Sequence, residues 1–303
     1  MNKIRQNVFP VLAALIWGLA FSAQADCAQN GMEPFTFNAL RGGIATVVLF
    51  IVTVIFSKGF KNLFTQWKDK KYFTSLMLGG ALAGIALFTA SNLQQSAFSE
   101  ETASGKVGFI TVFYLMLVPV FGLVIKRKTT WNVWISVAIA MVGMYFLCIK
   151  KGTDFSLSKY DLFALLCSAV FAIHILIIDH FTNKVDGVQL SLVQFFWVTL
   201  LSTVVMVFLE TPTLSVITSS IWQVLYVGVF SSGVAYTLQI LAQKDSNPTV
   251  VSLLLSLESI FAVIGGAVLL GEVMTVREYI GCFIMFAAVL LAQIPLKKAE
   301  KVE

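Results

Sequence analysis

Glu258 stands inside the apolar run Val250 to Leu270, and Arg41 stands inside the run Phe35 to Phe56. A charged side chain at the middle of a bilayer costs about 2.5 to 3.5 kcal/mol on insertion scales, so each needs a reason to be there. Glu258 must face the bundle interior, a cavity or a partner. It suits a proton-coupling group or a counter-charge for a substrate amine, and its bland counterpart is a hydrogen bond that glues two helices together. Arg41 cannot shed its proton and requires an anion. The candidates are a substrate carboxylate or phosphate, Glu258, or the acids Asp26 and Glu33; the alternative is a side chain that snorkels to the interface. Asn38 lies three residues before Arg41 and shares its helix face.

Further polar and aromatic residues in the apolar runs are candidates for a pathway: Trp17, Gln94, Tyr114, Gln194, Tyr236 and Gln239. Aromatic walls with amide hydrogen-bonding groups would hold a small organic molecule, whereas the ordinary use of such side chains is packing. His174 offers a proton relay or a neutral core position. His174 and His180 are six residues apart, about 120° around a helix, which is a poor metal-ligand pair. Asp179 and His180 are expected at the cytoplasmic interface, and Lys106 is expected to snorkel. The four cysteines, Cys27, Cys148, Cys167 and Cys282, lack metal or redox spacing and read as apolar fillers. No cofactor is implied.

The elements that carry these residues are ten apolar runs. They are Val8 to Gln24, Phe35 to Phe56, Tyr72 to Leu93, Ala103 to Ile125, Val133 to Ile149, Leu162 to Phe181, Leu190 to Leu209, Ile221 to Leu241, Val250 to Leu270 and Tyr279 to Ile294. A span needs about 20 mostly apolar residues. Lipid leaves no water for free backbone groups, so the runs must be helices or one closed barrel, and none shows the short alternating pattern of barrel strands. With 58% apolar and 12% charged residues, no stretch is left for a water-soluble domain. The net charge of +5 lies between the runs, where it orients helices, so a nucleic-acid partner is excluded. The expectation is an all-α polytopic membrane protein with ten transmembrane helices.

Loop charge sets the orientation. The termini and even-numbered loops carry Lys3, Arg5, Lys58, Lys61, Lys68, Lys70, Lys71, Lys126, Arg127, Lys128, Lys184, Lys244, Lys297, Lys298 and Lys301, against Lys150, Lys151, Lys159 and Arg277 opposite. That bias places both termini in the cytoplasm of a cell with this protein in its plasma (inner) membrane. The N-terminus imitates a signal peptide, with Ala23-Gln24-Ala25 as a cleavage pattern. Removing that run would put the C-terminal lysines on the wrong side, so it reads as a span. The basic loop Ser57 to Lys71, which includes Phe60, Phe64 and Trp67, reads as an interfacial amphipathic segment in contact with membrane lipid.

Leu93-Gln94-Gln95-Ser96-Ala97 closes the third run, and Leu238-Gln239-Ile240-Leu241-Ala242 closes the eighth, five helices later. An odd-numbered repeat enters the membrane upside down, which gives two inverted five-helix repeats with a substrate site between them. The stretch from Ser232-Gly233 to Gln293 includes Leu257-Glu258-Ser259-Ile260-Phe261-Ala262-Val263, then Gly271-Glu272-Val273-Met274-Thr275, then Gly281. It resembles the end of an EamA-type domain of the drug/metabolite transporter superfamily, with Ser259 where that family has a proline. The first half is similar through Trp17-Gly18, Arg41-Gly42-Gly43, Phe109-Ile110-Thr111 and Val118-Pro119-Val120, but has Lys126-Arg127-Lys128 in place of a Gly-Glu step. The expected layout is a first five-helix repeat over 1–149, an outer connection over 150–160, a second repeat over 161–295 and a basic tail over 296–303.

These readings converge on a secondary transporter that exports a small organic metabolite, an amino acid or a drug-like compound by alternating access. Export as the direction follows from the resemblance. No G-x-x-x-x-G-K-[ST] loop is present, so an ion gradient or the substrate's own gradient supplies the energy, with a proton through Glu258 as the candidate coupling. An intramembrane enzyme would need a set such as H-E-x-x-H or G-x-S-x-G, and neither occurs. A non-transporting sensor or scaffold is the other class, and would have a closed cavity filled by side chains. The sequence leaves the oligomeric state open.

Overall fold

The computed structural model describes residues 2–98, 104–127, 129–149, 158–244, 246–270 and 275–294. The motif residues Gly271 to Met274, most of the connection 150–160, the tail from 295, and the side chains of Lys106, Cys148, Gly265 and Gly266 lie outside the described residues.

Among the described residues every regular element is helical. The order is α1 Asn2–Gln29, α2 Pro34–Phe56, α3 Phe60–Trp67, α4 Lys70–Ala97, α5 Ser104–Thr111, α6 Tyr114–Val124, α7 Trp131–Cys148, α8 Lys159–Phe181, α9 Gly187–Leu209, α10 Leu214–Ser219 and α11 Ile221–Tyr226. A π-helical segment, Val227–Ala235, then leads into α12 Tyr236–Gln243, followed by α13 Pro248–Leu255, α14 Glu258–Leu270 and α15 Val276–Ala292. Seven helical stretches among the described residues are long and apolar enough to cross a membrane, and Trp131–Leu147 and Pro248–Ile264 are shorter apolar helices. Among the described residues the apolar runs of the sequence lie mainly on helix.

Helix starts follow from the polar residues between the runs. The Asp69 side chain accepts from the backbone N–H groups of Lys71 and Tyr72 at the start of α4, Asp186 does so for Val188 and Gln189 of α9, and Asn247 for Thr249 of α13. Ser158 with Asp161, and Thr275 with Glu278, form reciprocal capping boxes on α8 and α15. Each satisfies donors that a helix end leaves open. α2 is different: its capping carboxylate comes from 175 residues away, where Glu210 accepts from Phe35 N at 2.8 Å and Thr36 N at 2.6 Å. In return Glu33 accepts from Thr211 N at 3.2 Å.

Three runs that read as continuous helices are interrupted. The fourth run breaks at Val112-Phe113, between α5 and α6, and the ninth breaks at Ser256-Leu257, between α13 and α14. The eighth run passes through the π segment. Glu258 lies near the middle of its apolar stretch, as the sequence suggested, and stands directly after the Ser256-Leu257 break as the first residue of α14. Backbone groups at the breaks re-pair with shorter spacing, Phe113 N to Ile110 O at 3.1 Å and Leu257 N to Leu254 O at 3.3 Å, so the interruption leaves few donors bare.

The packing has a two-fold pattern. α2 lies on α9 and α7 lies on α15. α4 packs on α8 and α9, while the π segment and α12 pack on α1, and the π segment also packs on α2. α5 and α6 pack on α8, while α13 and α14 pack on α1. Exchanging each helix for the one five runs further on turns this set of contacts into itself. The pair α7 and α15 meet at Gly143 and Gly281: a Cβ at Gly281 would lie 2.7 Å from Leu147 N and 2.8 Å from Gly143 O. Only glycine allows backbones this close. Gly281→Val should therefore force the two helices apart and cost about 1–3 kcal/mol as overpacking, read as a lowered unfolding temperature of the purified protein in detergent.

Candidate functional site

A cavity lies where the interrupted helices meet. α1 contributes Trp17, Phe21 and Gln24; α2 contributes Arg41 and α4 Gln94; Thr111 and Tyr114 flank the break between α5 and α6. Phe171 and Ile175 of α8, Ser231 of the π segment, Tyr236 and Gln239 of α12, Leu255 of α13 and Glu258 of α14 complete the wall. The space open to the centre of a water-sized sphere is about 40 Å³, and at about 10–15 Å³ each this admits about three waters.

The two breaks bring Tyr114 and Glu258 face to face. Each is the first helical residue after its break, and the Tyr114 hydroxyl donates to Glu258 Oε1 at 3.4 Å. Glu258 is 5% exposed. Its backbone is held from behind, because a Cβ at Gly18 of α1 would lie 2.6 Å from Glu258 O and 2.8 Å from Ala262 N. α1 thus presses directly on the first turn of α14 and fixes where the carboxyl points.

Across the cavity, Arg41 is 3% exposed and does not reach the end of the bundle. Its Nη1 donates to Gln24 Oε1 at 3.3 Å, and its Cζ sits 5.3 Å from the centre of the Phe37 ring. Gln95 Nε2 donates to Gln24 O at 3.0 Å, which ties α4 to the same turn of α1. Among the described residues no carboxylate pairs with Arg41, and its Nε has no hydrogen-bond partner.

Of the residues that the sequence singled out, the cavity brings together Trp17, Arg41, Gln94, Tyr114, Tyr236, Gln239 and Glu258. Trp17 packs on Tyr236 with ring centres 4.7 Å apart and donates to Ser231 O at 3.3 Å. Gln94 and Gln239, the glutamines of the two L-Q-x-x-A patterns, both reach the wall. Three candidates lie outside it. Asn38 is buried and bonds Asn92 Oδ1 at 3.0 Å and Pro34 O at 2.9 Å. His174 Nε2 and Gln194 Oε1 are 3.1 Å apart in the core, and the His174 ring stacks edge-on behind Tyr236 at 6.1 Å. Asp179 is buried and paired with Arg127, a contact between α8 and the end of α6. Among the described residues no three His, Cys, Asp or Glu side chains converge as metal ligands would.

Sequence reasoning missed Phe21, Gln24, Thr111, Phe171, Ile175, Ser231 and Leu255. Gln24 was findable, as a polar residue one helical repeat beyond Trp17. The aliphatic and aromatic members carried no signal, because nothing in an apolar run distinguishes a cavity-facing Phe from a lipid-facing one.

A helical membrane protein built from paired halves around a polar cavity is the class that fold and site define. The sequence profile of the EamA-like transporter family matches residues 6–149 and 158–293. The chain belongs to that family. It is 30% identical over 295 residues to an uncharacterized transporter of Archaeoglobus fulgidus, covering 97% of this chain and 87% of the relative. It is 28% identical over 163 residues to the uncharacterized transporter YrdR of Bacillus subtilis, covering 52% and 47%. A solved structure titled only "Crystal structure of protein" superimposes with a TM-score of 0.76 at 15% identity, covering 95% of this chain and 96% of that one; this likeness is one of fold alone.

The buried His174 and Gln194 pair generates a test of its own. Gln194→Leu removes the partner of a fully buried imidazole nitrogen, which costs about 1–3 kcal/mol for a bare buried polar group. The expected result is a lower unfolding temperature in detergent, with part of the loss restored by adding His174→Phe.

Proposed function

We propose that this protein is a secondary transporter that carries a small organic metabolite, an amino acid or a drug-like compound outward by alternating access. Its two halves, 1–149 and 161–295, are taken as inverted five-helix repeats of ten spans, with both termini in the cytoplasm and the protein in the plasma membrane. The observation that carries this reading is the meeting of two helix breaks at one cavity, with Tyr114 on one side and Glu258 on the other. Discontinuous helices at a repeat interface are the recurring way for a transporter to bring polar groups and free backbone to a substrate at mid-membrane depth.

The cavity is small and both ends of the bundle are bridged. Glu33, Glu210 and Asp26 tie α1 and α2 to the α9–α11 region at one end, with Gln223 Nε2 donating to Asp26 Oδ2 at 2.5 Å. Arg127 with Asp179 ties the halves at the other. Access from either side therefore requires one set of bridges to open while the other holds, which is the motion that alternating access names. The chemistry around Glu258 suits a proton as the coupling ion: it is a lone carboxyl in the wall, with a hydroxyl partner on the opposite half.

Two measurements follow. A fluorescent protein fused to the C-terminus should fluoresce in a bacterial host, and alkaline phosphatase fused after Glu210 should be active, because loop charge places the first inside and the second outside; the reverse pattern would overturn the orientation. In proteoliposomes preloaded with a mixed pool of amino acids and related metabolites, an imposed pH gradient should drive loss of one compound, and Glu258→Gln should abolish that dependence. Equal gradient-driven efflux by both proteins would make the Glu258 contact a structural bond. Loss of no compound would count against transport.

A further inference from the structure

Arg41 is held on two of its sides and bare on the third. The Phe37 ring lies against the guanidinium, and Gln24 Oε1 occupies Nη1. The remaining edge, Nε with Nη2, is the one whose two N–H bonds run parallel, and its Nε is buried without a hydrogen-bond partner among the described residues. This edge matches the spacing of two carboxylate oxygens. The side chain is 3% exposed and forms part of the cavity wall.

Among the described residues, the acids of the cavity and of the bundle end beyond Arg41 are engaged elsewhere. Asp26 accepts from Gln223, Glu33 from Thr211 N, Glu210 from Phe35 N and Thr36 N, and Glu258 from Tyr114. None comes within ion-pair distance of Arg41. A buried guanidinium that stays charged and lacks a counter-ion is among the most costly arrangements in a protein. A counter-ion that arrives with a ligand would relieve that cost.

Resting on the transporter reading above, we infer that the transported compound carries a single carboxylate, which docks side-on across Nε and Nη2 of Arg41. Charge balance selects a monoanion. Among the described residues Arg41 is the lone cationic side chain in the wall, and the carboxyl there, Glu258, has the wrong sign for a second anionic group. A phosphate dianion or a dicarboxylate would leave uncompensated negative charge in the cavity. Trp17, Phe21, Phe171 and Tyr236 line the wall beside the amides of Gln24, Gln94 and Gln239, which suits a body with an aromatic or aliphatic face and a polar edge.

The test uses compounds that differ in the carboxylate alone. The full-length protein in lipid nanodiscs is titrated with 3-phenylpropanoate and its amide, L-phenylalanine and its amide, and the matching aliphatic pairs, with binding read from the shift in unfolding temperature. The carboxylate of at least one pair should bind about 10- to 100-fold tighter than its amide, the range for hydrogen bonds to a charged group. Arg41→Gln should bring that ratio to about one, and Arg41→Lys should leave an intermediate preference, since it keeps the charge and loses the fork. A merely structural arginine would lower stability in both variants without changing the ratio. The unmodified protein tests the idea even if a variant does not fold: no carboxylate preference in any pair overturns it, as does a preference that survives in Arg41→Gln. The transporter reading fails separately. Efflux of a neutral or cationic compound without carboxylate preference sinks the carboxylate and leaves transport standing, whereas Arg41-dependent carboxylate binding with no efflux of the bound compound sinks transport and leaves the site.

Discussion

Every backbone N–H and C=O inside lipid must find a partner within the protein. That constraint governs this fold more than any side-chain contact, because it decides where a helix is allowed to stop. The breaks at Val112-Phe113 and Ser256-Leu257 are tolerated because short-range pairing closes most of the open groups, and because both breaks line a cavity and do not face lipid. The same economy appears at the bundle ends, where Asp69, Ser158, Asp186, Asn247 and Thr275 close the helix starts. Where the local sequence offers no side-chain cap, at Pro34, the carboxylate of Glu210 crosses from the other half to supply one.

From this the character of the cavity follows. Helix interruptions release rows of side chains from regular packing, so polar groups can collect at one level without facing lipid. Arg41, Gln24, Gln94, Gln239, Tyr114 and Glu258 do so, while the aromatic pair Trp17 and Tyr236 closes the wall between them. The costs are distributed unevenly. Glu258 shares a hydroxyl with the opposite half, whereas Arg41 is fixed in direction and incompletely paired. Other polar residues bond each other across helices, as His174 does with Gln194 and Asn38 with Asn92, and lie outside the cavity wall.

The sequence makes the apolar runs, the caps and the intramembrane charges legible, because hydropathy and N-cap chemistry act over a few residues. Arg41, Glu258, Tyr114 and the two glutamines of the repeated pattern stood out by being polar where lipid is expected. The breaks were not legible. Phe109 to Ile125 is continuously apolar, and its one helix-breaking residue, Pro119, sits inside α6, away from the interruption at Val112. No local residue signal marks the end of α5 at Thr111. Asn38 misled for the opposite reason: three residues from Arg41 it shares a face, yet Asn92 is near enough to take its side chain. Whether a buried polar residue lines a cavity or bonds a neighbour depends on a partner that local spacing does not contain.

The two-fold pattern of contacts holds for backbone and packing but not for chemistry. The breaks in the fourth and ninth runs occupy matching places, and the first helical residue after each is Tyr114 in one half and Glu258 in the other. Likewise Gln94 and Gln239 match, while Arg41 of α2 has Gln189 to Phe195, a stretch with no charged residue, in the corresponding part of α9. A symmetric scaffold with an asymmetric wall has a physical consequence. The scaffold repeats its packing in both halves, whereas the cavity wall carries a cation on one side and an acid on the other. The repeated contacts thus shape the cavity, and the residues in which the halves differ give its wall its chemistry.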